Sequence, residues 1–381
     1  MKIAYLTDQV LPQTATDTAQ LMAMVSAFGA VGADVTLVTP RRYGRPDPDV
    51  ESLCRYYEVE PTFQLRCVPS LYPNLRGIEK AAHGLVSPLS AVAREADVVY
   101  TRNLAIVAPA LIFGHAQVAY ETYRPWPAQK PWSARFFRRL GQRTGFSAIL
   151  HSQLALRAYT DCGVPAHKLL VAHNGYHPAL IEPRLSQARA RAELGLDPDA
   201  HIACYAGRIG LHKGLGTILD MADRLPEVRF ILVGSERPGP VEARAATMDN
   251  VTMVPWQPFT RTLPYLYASD VLLIPPTRGP LETTGNTVLP IKTFLYMATG
   301  RPILAPATPD LCELLRDGHN ARLIAPDDVA AATAALRELL ASEVTRGRLG
   351  AQARADVAEL TWERRAINIL EFLQARQRAV A

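Results

Sequence analysis

Short apolar runs separated by amphipathic stretches recur along the whole chain. Ile3 to Thr7 has the pattern of a buried strand, and the stretch after it carries Leu21, Met24, Val25 and Phe28 at the intervals of one helix face. Gly32 then ends the helix and Val35 to Val38 begins a second strand, which makes a βαβ unit. Further strands are predicted at Gln64 to Val68, Asp97 to Tyr100, Val118 to Glu121, Ala148 to His151 and Leu169 to Ala172. Strands that alternate with helices in this way predict a mostly parallel sheet covered on both faces.

After Asn174-Gly175 the chain turns polar, with Pro178, Pro183, the short helix ARARAELG and the turn Asp197-Pro198-Asp199. The rhythm restarts with HIACYAG, RFILVG, NVTMVP, DVLLIP, RPILAP and ARLIAP, each followed by a helix or loop. The expectation is an α/β chain of two doubly wound, Rossmann-like domains over residues 1–178 and 179–360, with a last helix over 361–381. No close repeat, low-complexity tract or heptad array competes with it.

The length of 381 residues suits two domains, and a composition of 48% hydrophobic and 20% charged residues excludes a disordered or fibrous chain. The net charge of +5 favours anionic ligands without nucleic-acid-scale basicity, so no nucleic acid is expected as a partner. Cys54, Cys67, Cys162, Cys204 and Cys312 are widely spaced and form no Cys-x-x-Cys pair, which suggests reduced thiols in a cytoplasmic protein. The N-terminal MKIAYLTDQV runs into a strand pattern with no signal-peptide design. No run reaches the roughly 18 to 20 apolar residues that cross a bilayer, and ALIFGHAQVAY is broken by His115 and Gln117. Any membrane contact is therefore expected to be peripheral, at the inner face.

The chemistry concentrates in YAGRIGLHKGLGTILDMA. A strand delivers Gly207 and Arg208 to its carboxyl end, and a loop with Gly210, Lys213, Gly214 and Gly216 opens a helix. Orphan amides and the positive end of the helix dipole attract an anion there, and glycines let the backbone approach it. A glycine-rich turn with solvated cations is the plainer reading, but the Arg208 and Lys213 spacing favours a diphosphate clamp. No Gly-Lys-Ser or Gly-Lys-Thr makes it a Walker loop, and no Gly-x-Gly-x-x-Gly makes it a dinucleotide site.

From HNGYHP through GRIGLHKG, ILVGS, VTMVPWQPFTRTLPYLYASDVLLIP, KTFLYMATGRPILAP, RDGHNARLIAPDD and TWERR, the order and spacing resemble family 4 retaining glycosyltransferases of GT-B fold. The match spans the C-terminal half; the N-terminal half agrees more loosely, through its first βαβ and AILHSQLALRAYTDCGVPAHKLLVAHNG. The resemblance implies two domains facing across a cleft and a hexosyl transfer from a nucleotide-sugar diphosphate. The donor would lie mainly on the C-terminal domain, with Arg208 and Lys213 as catalytic cations on the diphosphate and Gly207, Gly210 and Gly234 beside them. Trp256 and Gln257 would border the base. The acceptor, a glycan, a glycolipid or a small molecule, would lie on the N-terminal domain, near Thr16, Tyr123 and Asn174. The last helix would cross back onto that domain. Neither a cofactor nor a metal is implied, and Asp47-Pro48-Asp49 and Asp197-Pro198-Asp199 have the pattern of proline turns.

Against the family pattern, Thr287 and Leu295 stand where two glutamates seven residues apart are usual, the second of them on the ribose. VLPIKTFLYMATG is similar to a subgroup that lacks the first glutamate and makes Lys292 a candidate cation. Asn286, Thr287 and Val288, ahead of Pro290, are candidate donor contacts, and Glu282 is a candidate replacement carboxylate if its loop folds back. The first-strand loop has no Gly-Gly, which leaves Thr16 or Thr18 to serve, and Tyr123 stands where a histidine is common, as a contact without an acid or base role. Two alternatives follow: a noncatalytic GT-B subunit that binds a glycan or a partner transferase, and a GT-B nucleotide-sugar epimerase.

PWPAQKPWSARFFRRLGQR joins Trp126, Trp132, Phe136 and Phe137 to Lys130, Arg135, Arg138, Arg139 and Arg143. Trp126 to Arg143 is a candidate contact with an anionic bilayer. The alternative is an amphipathic helix that packs Phe136 and Leu140 inward with its arginines outside.

Overall fold

A computed structural model describes residues 1–41, 44, 46–69, 78–284 and 289–379. Two compact units are present. Met1–Asn174 and the terminal helix Trp362–Arg378 form the first; Gly175–Thr361 forms the second. The expected boundaries lay at 178/179 and 360/361; the chain divides at 174/175 and 361/362.

The first unit holds β1 (Lys2–Leu6), β2 (Asp34–Pro40), β3 (Gln64–Val68), β4 (Val98–Thr101), β5 (Val118–Thr122), β6 (Phe146–Leu150) and β7 (Leu169–Val171). They pair in parallel in the order β3-β2-β1-β4-β5-β6-β7. Ile3 sits between Val35 and Val98, so the strand order reverses its direction of growth at β1 and β4. In open sheets of this kind ligands bind beyond the carboxyl ends of the strands at that switch.

The second unit holds β8 (His201–Ala206), β9 (Val228–Ser235), β10 (Val251–Pro255), β11 (Val271–Leu273), β12 (Ile303–Pro306) and β13 (Arg322–Ile324), all parallel, in the order β10-β9-β8-β11-β12-β13. Every strand expected from the sequence is present among the described residues.

Five helices enter the argument below: α1 (Thr16–Ala30), α2 (Pro131–Gln142), α3 (Leu215–Arg224), α4 (Ile291–Thr299) and α5 (Trp362–Arg378). Both sheets are apolar on both faces because successive side chains of a strand point to opposite sides. In β1, Ile3 and Tyr5 join one core while Ala4 and Leu6 join the other. In β8, Ile202, Cys204 and Ala206 face one core, and Ala203 and Tyr205 the other.

Helix α5 explains why the chain's last segment belongs to the first unit. Its Trp362, Ile369, Leu370 and Leu373 are buried with Leu21, Met24 and Phe28 of α1. Burial of one such side chain is worth roughly 1.5–3 kcal/mol, so four of them hold the helix firmly. The same helix carries Arg365 into the core, where the guanidinium donates to the carbonyl of His173 at 3.0 Å and to Glu121 at 3.1 Å.

Candidate functional site

In the second unit the chemistry gathers at the carboxyl end of β8. Gly207 N–H donates to Val233 O at 2.9 Å, which brings the ends of β8 and β9 together. Gly207 and Gly234 both have positive φ, at 142° and 122°, and a Cβ on Gly234 would lie 2.4 Å from the Gly207 carbonyl oxygen. Only glycine allows backbone to approach backbone this closely, and the result is a bare surface at the strand end.

Three basic side chains border that surface. Arg208 is exposed, with its Nε 3.8 Å from Glu236. Lys213 ends a short turn, Leu211–Lys213, that leads through Gly214 into α3. Burial, followed by the charge of Arg208, lowers its pKa. Lys292 comes from the first turn of α4 and holds its Nζ 3.6 Å from the centre of the Tyr205 ring. Tyr205 Oη in turn donates to the Arg208 carbonyl at 3.0 Å. Tyr296 Oη accepts from Ala206 N–H at 2.7 Å and so fixes α4 to the end of β8.

Glu282 lies on a short helix, Gly279–Thr284, that packs against the Leu211–Lys213 turn. The segment is a helix rather than the loop expected, and Glu282 is exposed and makes no ion pair with a described residue. Trp256 is 44% exposed, and its backbone N–H donates to Ser235 O at 2.8 Å, which places it at the ends of β9 and β10; Gln257 beside it is half-buried. Gly210 has extended backbone, φ 161°, that any residue adopts, so its conformation does not require glycine. Leu295 packs half-buried against the core. Asn286, Thr287 and Val288 lie outside the described residues.

The first unit holds a polar cavity of about 130 Å³ at the carboxyl ends of β1, β4 and β5, the switch point of its sheet. Asp8, Asp17, Arg102, Glu121, Tyr123 and Arg124 are among its lining residues. Arg124 lies over the rings of Tyr123 and Trp126, at 5.4 and 5.1 Å. Arg102 donates to Asp17 O at 3.0 Å and to Gln20 Oε1 at 2.9 Å, which locks it against α1.

Behind the cavity lies a buried charge cluster. Glu121 accepts from Tyr100 Oη at 2.6 Å, from His151 Nε2 at 2.7 Å and from Arg365 at 3.1 Å, with Arg102 Nε at 3.9 Å. Burial pushes the Glu121 carboxyl up, but Arg365, the His151 hydrogen bond and Arg102 outweigh it and hold the pKa well below the carboxylate range. His151 is driven down to about 4, mainly by burial, so at neutral pH it is an uncharged donor. A carboxylate in the middle of an apolar strand is costly unless it is paired and hydrogen-bonded, and here it is both.

Residues 200–342 match the family model described as glycosyl transferases group 1. The second unit carries a glycosyl transferases group 1 domain. The chain is 27% identical over 216 residues to D-inositol 3-phosphate glycosyltransferase of Xylanimonas cellulosilytica, over 54% of this chain and 50% of the relative. It is 28% identical over 248 residues to sulfoquinovosyl transferase of Arabidopsis thaliana, over 62% of this chain and 45% of the relative. It thus spans about half the length of the curated relatives it matches. Among solved structures, sucrose-phosphate synthase of Thermosynechococcus elongatus is similar over 100% of both chains, with a TM-score of 0.78 and 19% identity. Anabaena HepE in complex with UDP and glucose covers 98% of this chain and 99% of its own, with a TM-score of 0.72 and 18% identity. The fold is GT-B.

In the group 1 domain the structure brings Gly207, Gly234, Arg208, Lys213 and Lys292 to one strand end. In the first unit it brings Tyr123 to the cavity but leaves Thr16 exposed and off its wall, while Thr18 is buried and donates to Gln13 O and Ala15 O. Asn174 is buried. Asp49 caps a helix by accepting from Ser52 N–H at 2.7 Å, and Asp197 accepts from Asp199 N–H at 2.9 Å, so both proline turns are occupied locally. Asp8, Asp17, Arg102, Arg124 and the Glu121 cluster were not singled out from the sequence. Their signals were present: Glu121 interrupts the apolar run VAYET, and Asp8 and Arg102 each follow a strand.

Proposed function

We propose that this chain is a retaining glycosyltransferase that moves a sugar from a nucleoside diphosphate sugar to a hydroxyl-bearing acceptor. The observation that carries the reading is the meeting of Arg208, Lys213 and Lys292 at the glycine-bared end of β8, within a group 1 domain. The bond from the sugar's anomeric carbon to the phosphate oxygen breaks as the bond to the acceptor oxygen forms. The acceptor's proton passes to the departing phosphate on the same face. Negative charge grows on that phosphate in the transition state, where fixed cations and the amides at the start of α3 stabilise it more than in the ground state. Arg208 and Lys213 supply that charge without a metal. The polar cavity of the first unit takes the acceptor: Asp8 and Asp17 suit sugar or polyol hydroxyls, and Arg124 suits an anionic group.

Acceptors at a lipid headgroup fit the surface of the first unit. Residues 122–160 contain no Asp or Glu. On α2, Phe137 and Leu140 are buried and Phe136 is half-buried, while Trp132 is 62% exposed among the exposed Arg135, Arg139 and Arg143. Trp126 is turned inward, its Nε1 donating to Tyr120 Oη at 3.0 Å, so the membrane-facing aromatic is Trp132. We place the chain at an anionic membrane surface on this basis.

Leu295, which offers the ribose no carboxylate, favours a second reading: a GT-B subunit that binds nucleotide without turnover. The test is a panel of nucleotide sugars read by thermal stabilisation and by nucleotide release, on the wild type and Lys213→Ala. Stabilisation and release that fall at least ~10-fold in Lys213→Ala support the transferase. Stabilisation without release for any acceptor supports the binding subunit, and neither signal from any nucleotide sugar defeats both.

A further inference from the structure

Lys292 differs from Arg208 and Lys213 in its surroundings. Arg208 is exposed to solvent, whereas Lys292 is half-buried and rests on the face of the buried Tyr205 ring, 3.6 Å from its centre. A Cβ on Gly207 would stand 2.6 Å from its Nζ and 3.2 Å from Tyr205 Oη, so the amine lies flush with the bare strand end. Among the described residues the groups that face it are Tyr205 and Cys204 from β8 and Lys213 from the turn before α3, with Tyr296 one turn on along its own helix. None is negative: burial pushes the Cys204 thiol up to about 12 and both tyrosines above their usual value. Among the described residues no carboxylate pairs with Lys292, and its place in the first turn of α4 adds the positive end of a helix dipole.

Among the described residues an ammonium ion here has one favourable contact, the ring face, against desolvation, a neighbouring cation and a helix N-terminus. Burial first, and the charge of Lys213 second, accordingly lower the Lys292 pKa well below that of a free lysine. A diphosphate seated at Gly207 reverses this balance, because it places negative charge against all three cations.

We propose that Lys292 is a third diphosphate-binding cation and that it gains protonation from solvent as the nucleotide's phosphates seat. The proposal rests on the donor site described under Proposed function. The step is a protonation of the Nζ lone pair and nothing else. Its consequence is a coupling of donor affinity to pH: wherever the bound site is more protonated than the free one, affinity rises as pH falls.

Calorimetric titration tests it with UDP, GDP and ADP near pH 8, where their terminal phosphate, with a pKa of about 6, is already ionised, and with inorganic pyrophosphate, which still carries a proton at that pH, as a probe of binding alone. Runs in buffers of different ionisation enthalpy give the number of protons taken up. Wild type is expected to show net proton uptake on binding the nucleoside diphosphates. Lys292→Arg, which stays charged throughout, is expected to bind within about tenfold of wild type with almost no uptake. Lys292→Met is expected to lose both uptake and at least ~10-fold in affinity while keeping its melting temperature. Binding without proton uptake in the wild type, or equal uptake in Lys292→Arg, overturns the proposal and leaves the donor reading standing. Failure of all four ligands to bind the wild type overturns the donor reading and this proposal with it.

Discussion

Arg365 donates to Glu121 at 3.1 Å across 244 positions of sequence, and both side chains are almost wholly buried. The pair joins α5 to the strand whose end forms the cavity, so the last helix is tied to the floor of the candidate acceptor site. Glu121→Gln leaves Arg365 and Arg102 without their carboxylate and is expected to cost about 3–5 kcal/mol, read by urea unfolding. The double variant Glu121→Gln, Arg365→Met is expected to lose less than the sum of the two single changes, because it removes both charges. Additive losses would show that the two groups are not coupled.

His151 makes the same cluster sensitive to acid. Its folded pKa, about 4, lies below the unfolded value of 6.5, so its contribution is complete above pH 6.5 and is lost as the pH falls toward 4. Glu121, held below the carboxylate range, adds a further loss at lower pH. Urea midpoints at pH 7.5 and 4.5 should differ by an amount worth roughly 2–3 kcal/mol from His151 alone. His151→Gln should remove that part of the difference.

Gly234→Ala should strain the strand end. The new methyl carbon would lie 2.4 Å from the Gly207 carbonyl at a φ of 122°. A loss of about 1–3 kcal/mol in the second unit is expected, with weaker nucleotide binding as Gly207 is displaced. Melting and nucleotide titration of this variant check it; unchanged affinity would separate the glycine contact from the donor site.

Arg124 lies over Tyr123 and Trp126 and, on the proposed acceptor reading, meets an anionic group. Arg124→Ala should raise the acceptor KM about tenfold or more and leave the affinity for nucleotide unchanged. Steady-state kinetics with acceptor and donor varied separately distinguish the two effects.

For the membrane surface, Trp132→Ala combined with Arg135→Glu and Arg139→Glu should abolish cosedimentation with phosphatidylserine vesicles. Each basic residue near an anionic surface is worth about 1 kcal/mol, so two reversals outweigh a weak peripheral affinity. Wild-type cosedimentation that is equal with neutral vesicles would count against charge as its cause.

The strands and the glycine-rich turn could be read from local sequence. Apolar runs alternating with helical faces are local signals, so every strand from Lys2–Leu6 to Arg322–Ile324 was legible, as was the glycine-rich turn that carries Arg208 and Lys213. What surrounds that turn was less legible: Lys292 was visible as a candidate, but its seat on Tyr205 depends on how α4 packs against β8. The cavity of the first unit was decided by the tertiary structure alone. It exists because the ends of β1, β4 and β5 come side by side, and because α5 returns to place Arg365 beside Glu121. Residues so far apart leave no periodicity to read, and a buried charge is tolerable only when its partners arrive from elsewhere in the chain.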